Sequence, residues 1–86
     1  VTRQELAVLL HRYAQYKGMS AVTLEENLGG FSDNAQVSEY AVSAMNWAIG
    51  SGLMQGKGNA LLDPQGQATR AEIAQVLMNF FEIVME

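Results

Sequence analysis

Two stretches of the chain are near-copies: Val1-Thr2-Arg3-Gln4-Glu5-Leu6-Ala7 and Ala68-Thr69-Arg70-Ala71-Glu72-Ile73-Ala74, offset by 67 residues. In that register Thr2 meets Thr69, Arg3 meets Arg70, Glu5 meets Glu72, Ala7 meets Ala74 and Leu10 meets Leu77. Leu9 falls on Val76 and Tyr13 on Phe80, apolar on apolar. An internal repeat constrains a fold strongly, because a repeated unit buries its apolar face against its neighbours rather than alone. The chain reads as a piece of an array that opens at the tail of one unit and runs through the next. It begins inside a motif, so the lack of a visible leader says nothing about a parent protein.

Composition narrows the classes. Eighty-six residues make one small domain at most. There is no cysteine, so no disulfide can staple a modest core. Apolar residues make up 49% and charged residues 16%, which places the chain among globular rather than disordered sequences. A net charge of −4 argues against nucleic acid or an anionic membrane as the main partner, since phosphates need Lys and Arg. No apolar run approaches the length of a membrane span.

Periodicity predicts an all-α fold of three main helices near residues 2–17, 38–51 and 69–84, joined by long loops. In the first, Leu6, Leu9, Leu10 and Tyr13 share one face, and Gly18 stands where a left-handed residue ends a helix. Residues 19–30 read as a linker closed by Gly29-Gly30. In the second, Ser38 is the predicted cap, and Tyr40, Ala41, Ala44, Met45, Ala48 and Ile49 form a stripe rich in small residues. Gly50 and Gly52 bracket its end. Leu53-Met54 reads as a core anchor, Gly56-Lys57-Gly58-Asn59 as a turn, and Leu61-Leu62 as a short extended contact. Ile73, Val76, Leu77, Phe80, Phe81 and Val84 line the buried side of the third.

Thr-Arg-x-Glu has a structural explanation in part. Thr followed three residues later by Glu, ahead of an apolar period, is a capping box, so Thr2, Glu5, Thr69 and Glu72 are structural caps. Arg3 and Arg70 are not explained that way. Each occupies the first helical position, where the macrodipole disfavours a cation. Two readings stand: a salt bridge to a carboxylate of an adjoining unit, or an anion site made of helix amides and a guanidinium.

The order Phe31-Ser32-Asp33, Tyr40-Ala41, Trp47-Ala48-Ile49, Gly52-Leu53-Met54-Gln55-Gly56, Asp63-Pro64-Gln65-Gly66 and Ala68-Thr69-Arg70-Ala71-Glu72 resembles one S-layer homology (SLH) repeat. On this resemblance residues 1–18 are the closing helix of a preceding repeat, 19–30 a linker and 31–86 a complete repeat. The resemblance implies a non-catalytic module that fixes a secreted protein to the bacterial cell surface. Its partners would be secondary cell-wall polysaccharide, often pyruvylated, and neighbouring repeats, with no cofactor or metal. Carried over by position, the ligand-binding residues are Arg70, Arg3 and Trp47, with Asp33 and Gly52 beside them. The first copy departs from the pattern with Gln4 in place of Ala, a residue placed to crowd the groove.

Other candidates read as structural. Trp47 lies at the edge of its stripe, where it serves either as a half-buried core residue or as a sugar platform. His11 has no catalytic partner at a helical spacing and reads as a surface residue. Glu25-Glu26, adjacent in a loop, cannot be held across a scissile bond. Met45, Met54 and Met78 read as core filler. Two function classes remain: a carbohydrate-binding wall anchor, or an assembly repeat in which Arg70 only bridges units. Because the third helix is apolar on more than one side, copies of the chain are expected to associate.

Overall fold

The computed structural model describes residues 1–18, 27–56, 58 and 60–85. It is all-α: α1 (Arg3–Tyr16), α2 (Val42–Gly50) and α3 (Arg70–Met85), with 3-10 turns at Asn34–Gln36 and Glu39–Ala41. The β-type pairing among the described residues is one antiparallel bridge, Thr2 with Gln67.

α1 starts at a complete capping box. Thr2 Oγ1 accepts from the Glu5 amide at 3.2 Å, and Glu5 Oε1 accepts from the Thr2 amide at 2.8 Å. The helix ends at Lys17, and Gly18 takes the left-handed conformation, φ +74°, that ends the helix. α3 repeats the start: Thr69 Oγ1 accepts from Glu72 N at 3.1 Å, and Glu72 Oε1 accepts from Thr69 N at 3.0 Å.

The buried row of α1 is Arg3, Gln4, Leu6, Ala7, Leu10 and Ala14. Leu9 and Tyr13, expected on that face, are exposed. The alanines explain the shift. Ala7 and Ala14 let α1 come close to α2 and the 39–41 turn, so the stripe centres on them rather than on the larger side chains.

The second helix also differs from expectation. Ser38 precedes one 3-10 turn, and the α-helix begins only at Val42. Ser38 makes no cap because Gln4 holds it: its Oγ accepts from Gln4 Nε2 at 2.9 Å, and its amide donates to Gln4 Oε1 at 3.0 Å. Tyr40 turns outward within this 3-10 turn, where Gln4 Nε2 donates to its hydroxyl at 3.4 Å. At the other end Gly52, φ +80°, reverses the chain, and Ala48 O accepts from the amides of Leu53 and Met54.

The core gathers Leu6, Leu10, Met45, Trp47, Leu53, Met54, Leu62, Val76 and Phe80 between the helices. Leu61 and Leu62 alternate, the first exposed and the second fully buried. Met78 is exposed and is not core filler. His11 is no plain surface residue: its ring lies 5.2 Å from that of Trp47. Of the expected linker, residues 19–26, with Glu25 and Glu26, lie outside the described residues, as do Lys57 and Asn59. Its end belongs to the fold, since Leu28 is buried and the Asn27 amide donates to Asn46 Oδ1 at 2.7 Å.

Candidate functional site

A groove of about 580 Å³ opens where α1, the chain after α2 and α3 meet. Arg3 lies on one side. Gly52, Leu53, Met54, Gln55 and Gly56 supply one wall, and Glu72, Gln75, Val76 and Asn79 supply the other. The α3 residues recur at i, i+3, i+4 and i+7, which places them on one face of that helix.

Arg3 is buried, and each of its three side-chain nitrogens has a protein partner. Nε donates to Leu62 O at 2.8 Å, an Nη to Gln55 O at 2.6 Å, and the other Nη is ion-paired with Glu72 Oε2. Of the two readings left open for this arginine, the geometry at α1 is the salt bridge. The helix amides are committed too. Arg3 N donates to Gly66 O and Gln4 N to Pro64 O, both at 2.9 Å, so the first turn of α1 turns its orphan donors to protein carbonyls.

Glu72 therefore serves twice, as the α3 cap and as the counter-charge of Arg3. The Thr69 amide holds its carboxyl below the ordinary carboxylate range, aided by Arg3 and opposed by partial burial. Asp33 works behind the groove. Its two oxygens accept from Leu62 N at 2.8 Å and Asp63 N at 2.9 Å, which fixes the carbonyl that Arg3 meets. The Leu62 bond, ahead of other contributions, keeps its carboxyl low. The polar groups of the groove wall are Gln75, whose Nε2 donates to Asn79 Oδ1 at 3.0 Å, and Asn79, whose Nδ2 donates to Leu53 O at 3.4 Å.

Of the residues singled out from sequence, Arg3 and Gly52 meet at the groove. Gly52 is required there for its positive φ rather than for space, since a Cβ would meet nothing within 4 Å. Gly56 is required for space: a Cβ would lie 2.5 Å from the Phe31 ring. Arg70 is exposed at the start of α3 and does not line the groove. Trp47 is buried, edge-on to Phe80 with ring centroids 6.4 Å apart. Gln4 points away from the groove to Ser38, so it does not crowd it. Sequence reading missed Gln55, Gln75 and Asn79. The last two carried a signal, a Gln-Asn pair one helical turn apart on the Glu72 face.

A second hollow, of about 250 Å³, lies on α1 against Glu5, Val8, Leu9 and Arg12, with Val1 and Tyr40. At the repeat offset those four α1 residues correspond to Glu72, Gln75, Val76 and Asn79, so the same helix positions line both hollows. Among the described residues no group of three His, Asp or Glu could hold a metal ion. No described helix is long and apolar enough to cross a membrane.

The model of the family described as "S-layer homology domain" matches residues 30–74. The chain is also similar to an amylopullulanase of Thermoanaerobacterium thermosulfurigenes, 34% identical over 88 residues, covering 95% of this chain and 4% of that protein. An exoglucanase XynX of Acetivibrio thermocellus is 30% identical over 84 residues, covering 95% of this chain and 8% of that protein. The chain thus spans less than a tenth of the length of either relative. No solved structure matches it significantly.

Proposed function

Because this chain belongs to the S-layer homology family, we propose that it is a cell-wall anchor whose groove binds secondary cell-wall polysaccharide. The observation that carries the reading is the groove itself. It forms at the joint of the two Thr-Arg-x-Glu helices and combines an apolar wall with amide side chains. Apolar surface suits the faces of a sugar ring, and amides suit its hydroxyl and acetamido groups. Arg3 and Gly52 form the groove end, Gln75 and Asn79 offer donors and acceptors, and Trp47 and Asp33 act from beneath by holding α3 and Leu62. Arg70 is the exposed cation available to an acidic, pyruvylated residue of the same polymer. The module works at the bacterial surface, where it would hold a catalytic region of the kind its relatives are named for. Its protein partners are neighbouring repeats or copies of itself.

The experiment is co-sedimentation with wall sacculi before and after acid extraction, which removes secondary polymer and leaves peptidoglycan. Binding to native sacculi alone supports the proposal. Equal binding to both, or to neither, ends it. One observation favours a second reading. The Arg3–Glu72 pair already joins the two motif helices without a ligand, as an assembly repeat requires. No binding to native sacculi by the unaltered chain, together with a large loss of stability on Arg3→Ala, would favour that reading.

A further inference from the structure

The groove and Arg70 lie on opposite sides of α3. Glu72, Gln75, Val76 and Asn79 face the groove. At about 100° of turn per residue, Arg70 stands roughly opposite Asn79 around the helix. It is exposed, and it has no hydrogen-bond or ion-pair partner among the described residues. The charged groups among the described residues of the groove are Arg3 and Glu72, which are paired with each other and cancel. Their exposure is unequal, 5% for the Arg3 side chain and 26% for that of Glu72, so the charge nearer the solvent is the carboxylate. The side-chain groups left to meet a ligand are the neutral amides of Gln55, Gln75 and Asn79.

We infer that the groove takes an uncharged sugar unit of the wall polymer, and that an acidic unit is met apart from it, at Arg70. The inference rests on the polysaccharide reading proposed above and adds which unit goes where. A carboxylate brought into the groove would meet that of Glu72 before it met Arg3. To pair with the guanidinium it would have to displace Glu72 or the carbonyl of Gln55 or Leu62, and each displacement leaves a polar group without its partner. A neutral sugar asks for no such exchange, since an amide side chain both donates to and accepts from its hydroxyl groups. At Arg70 the balance is reversed. A cation at a helix N-terminus without a counter-charge is unfavourable, and a carboxylate there supplies one without displacing anything. One sugar ring cannot serve both places across a helix about 10 Å in diameter. The chain therefore reads two units of the polymer and tells them apart by charge.

The test uses the 86-residue chain and two forms of one solubilised, pyruvylated wall polymer. One form is as isolated, and the other has its carboxylates converted to neutral methyl amides. Titration calorimetry compares the unaltered chain, Arg70→Ala, and a variant carrying both Gln75→Ala and Asn79→Ala. The groove variant should lose at least about tenfold in affinity, and by the same factor for both forms, because the unit it holds is unchanged. Arg70→Ala should lose about threefold on the acidic form, as for an exposed ion pair, and nothing on the amide form. A groove-variant loss that shrinks when the polymer is neutralised places the acidic unit in the groove and overturns the inference. An Arg70→Ala loss that is equal on both forms, or absent from both, overturns it as well. Salt gives a reading that needs no groove variant: Arg70→Ala should flatten the salt dependence of binding to the acidic form, and an unchanged dependence counts against the inference. Binding of neither form by the unaltered chain fails the polysaccharide reading itself and this inference with it, whereas the other contrary outcomes overturn the assignment of units alone.

Discussion

Arg3 and Glu72 lie 69 residues apart in sequence and are ion-paired at the groove. Each belongs to a Thr-Arg-x-Glu phrase, but the arginine of the first phrase pairs with the glutamate of the second. The first phrase therefore reaches the second: its Thr and Glu start α1, and its Arg ties α1 to the cap of α3.

Arg3→Ala is expected to cost on the order of 3 kcal/mol, since it leaves a carboxylate and two carbonyls without their partner. Arg70→Ala in the same chain should stay within about 0.5 kcal/mol, as for an exposed side chain. Urea unfolding of the two variants checks the contrast. Equal losses would show that the two arginines are equivalent in this chain.

Thr69→Ala removes the acceptor of the Glu72 amide and should cost about 1 kcal/mol. Sacculus binding should persist at protein concentrations where the variant is folded. A loss of binding without a fall in Tm would assign Thr69 to the ligand instead.

Gln75→Ala and Asn79→Ala should each weaken polymer binding roughly fivefold, the equivalent of one hydrogen bond of about 1 kcal/mol. Both side chains lie at the groove surface, so Tm should change little. Titration calorimetry with solubilised wall polymer reads the effect directly.

Acid should destabilise the fold through Asp33 and Glu72. Both carboxyls are held below their ordinary values of 3.8 and 4.5, each by a backbone amide first. A carboxyl with a folded pKa below its unfolded one stabilises the protein above the unfolded value. That contribution is lost as pH falls through the folded pKa. Stability should therefore be flat from pH 7 to about 5 on this account and fall below about 4. Asp33→Asn should flatten the fall, which thermal melts across that range would reveal.

Much of the helical plan was legible because it is written locally. Capping boxes at Thr2 and Thr69 and a left-handed glycine at Gly18 are signals within one turn of the residues they govern. The second helix was less legible, since Ser38 looks like a cap and is instead held by Gln4, 34 residues earlier. The buried face of α1 was misplaced for a similar reason: Leu9 and Tyr13 are larger, but Ala7 and Ala14 allow the closer approach. The groove was legible at Arg3 and Gly52, an odd cation and a helix-ending glycine. Its carbonyls at Gln55 and Leu62 were not, because a backbone acceptor leaves no mark in side-chain identity. Trp47 was ambiguous at the edge of its stripe until Phe80 and His11 closed over it.

The clasp between the two ends of the sequence has a kinetic consequence. Val1 O accepts from Ala68 N, and the amides of Arg3 and Gln4 donate to Gly66 and Pro64. The first turn of α1 thus gains this part of its anchoring only when a loop of some sixty residues has closed, at an entropic cost on the order of 4 kcal/mol. Nucleation should begin around α2 and its flanking turns, with α1 joining late. Mutations in the clasp should then quicken unfolding far more than they slow folding. For the wall anchor proposed above, that clasp would govern how long the domain stays folded under load.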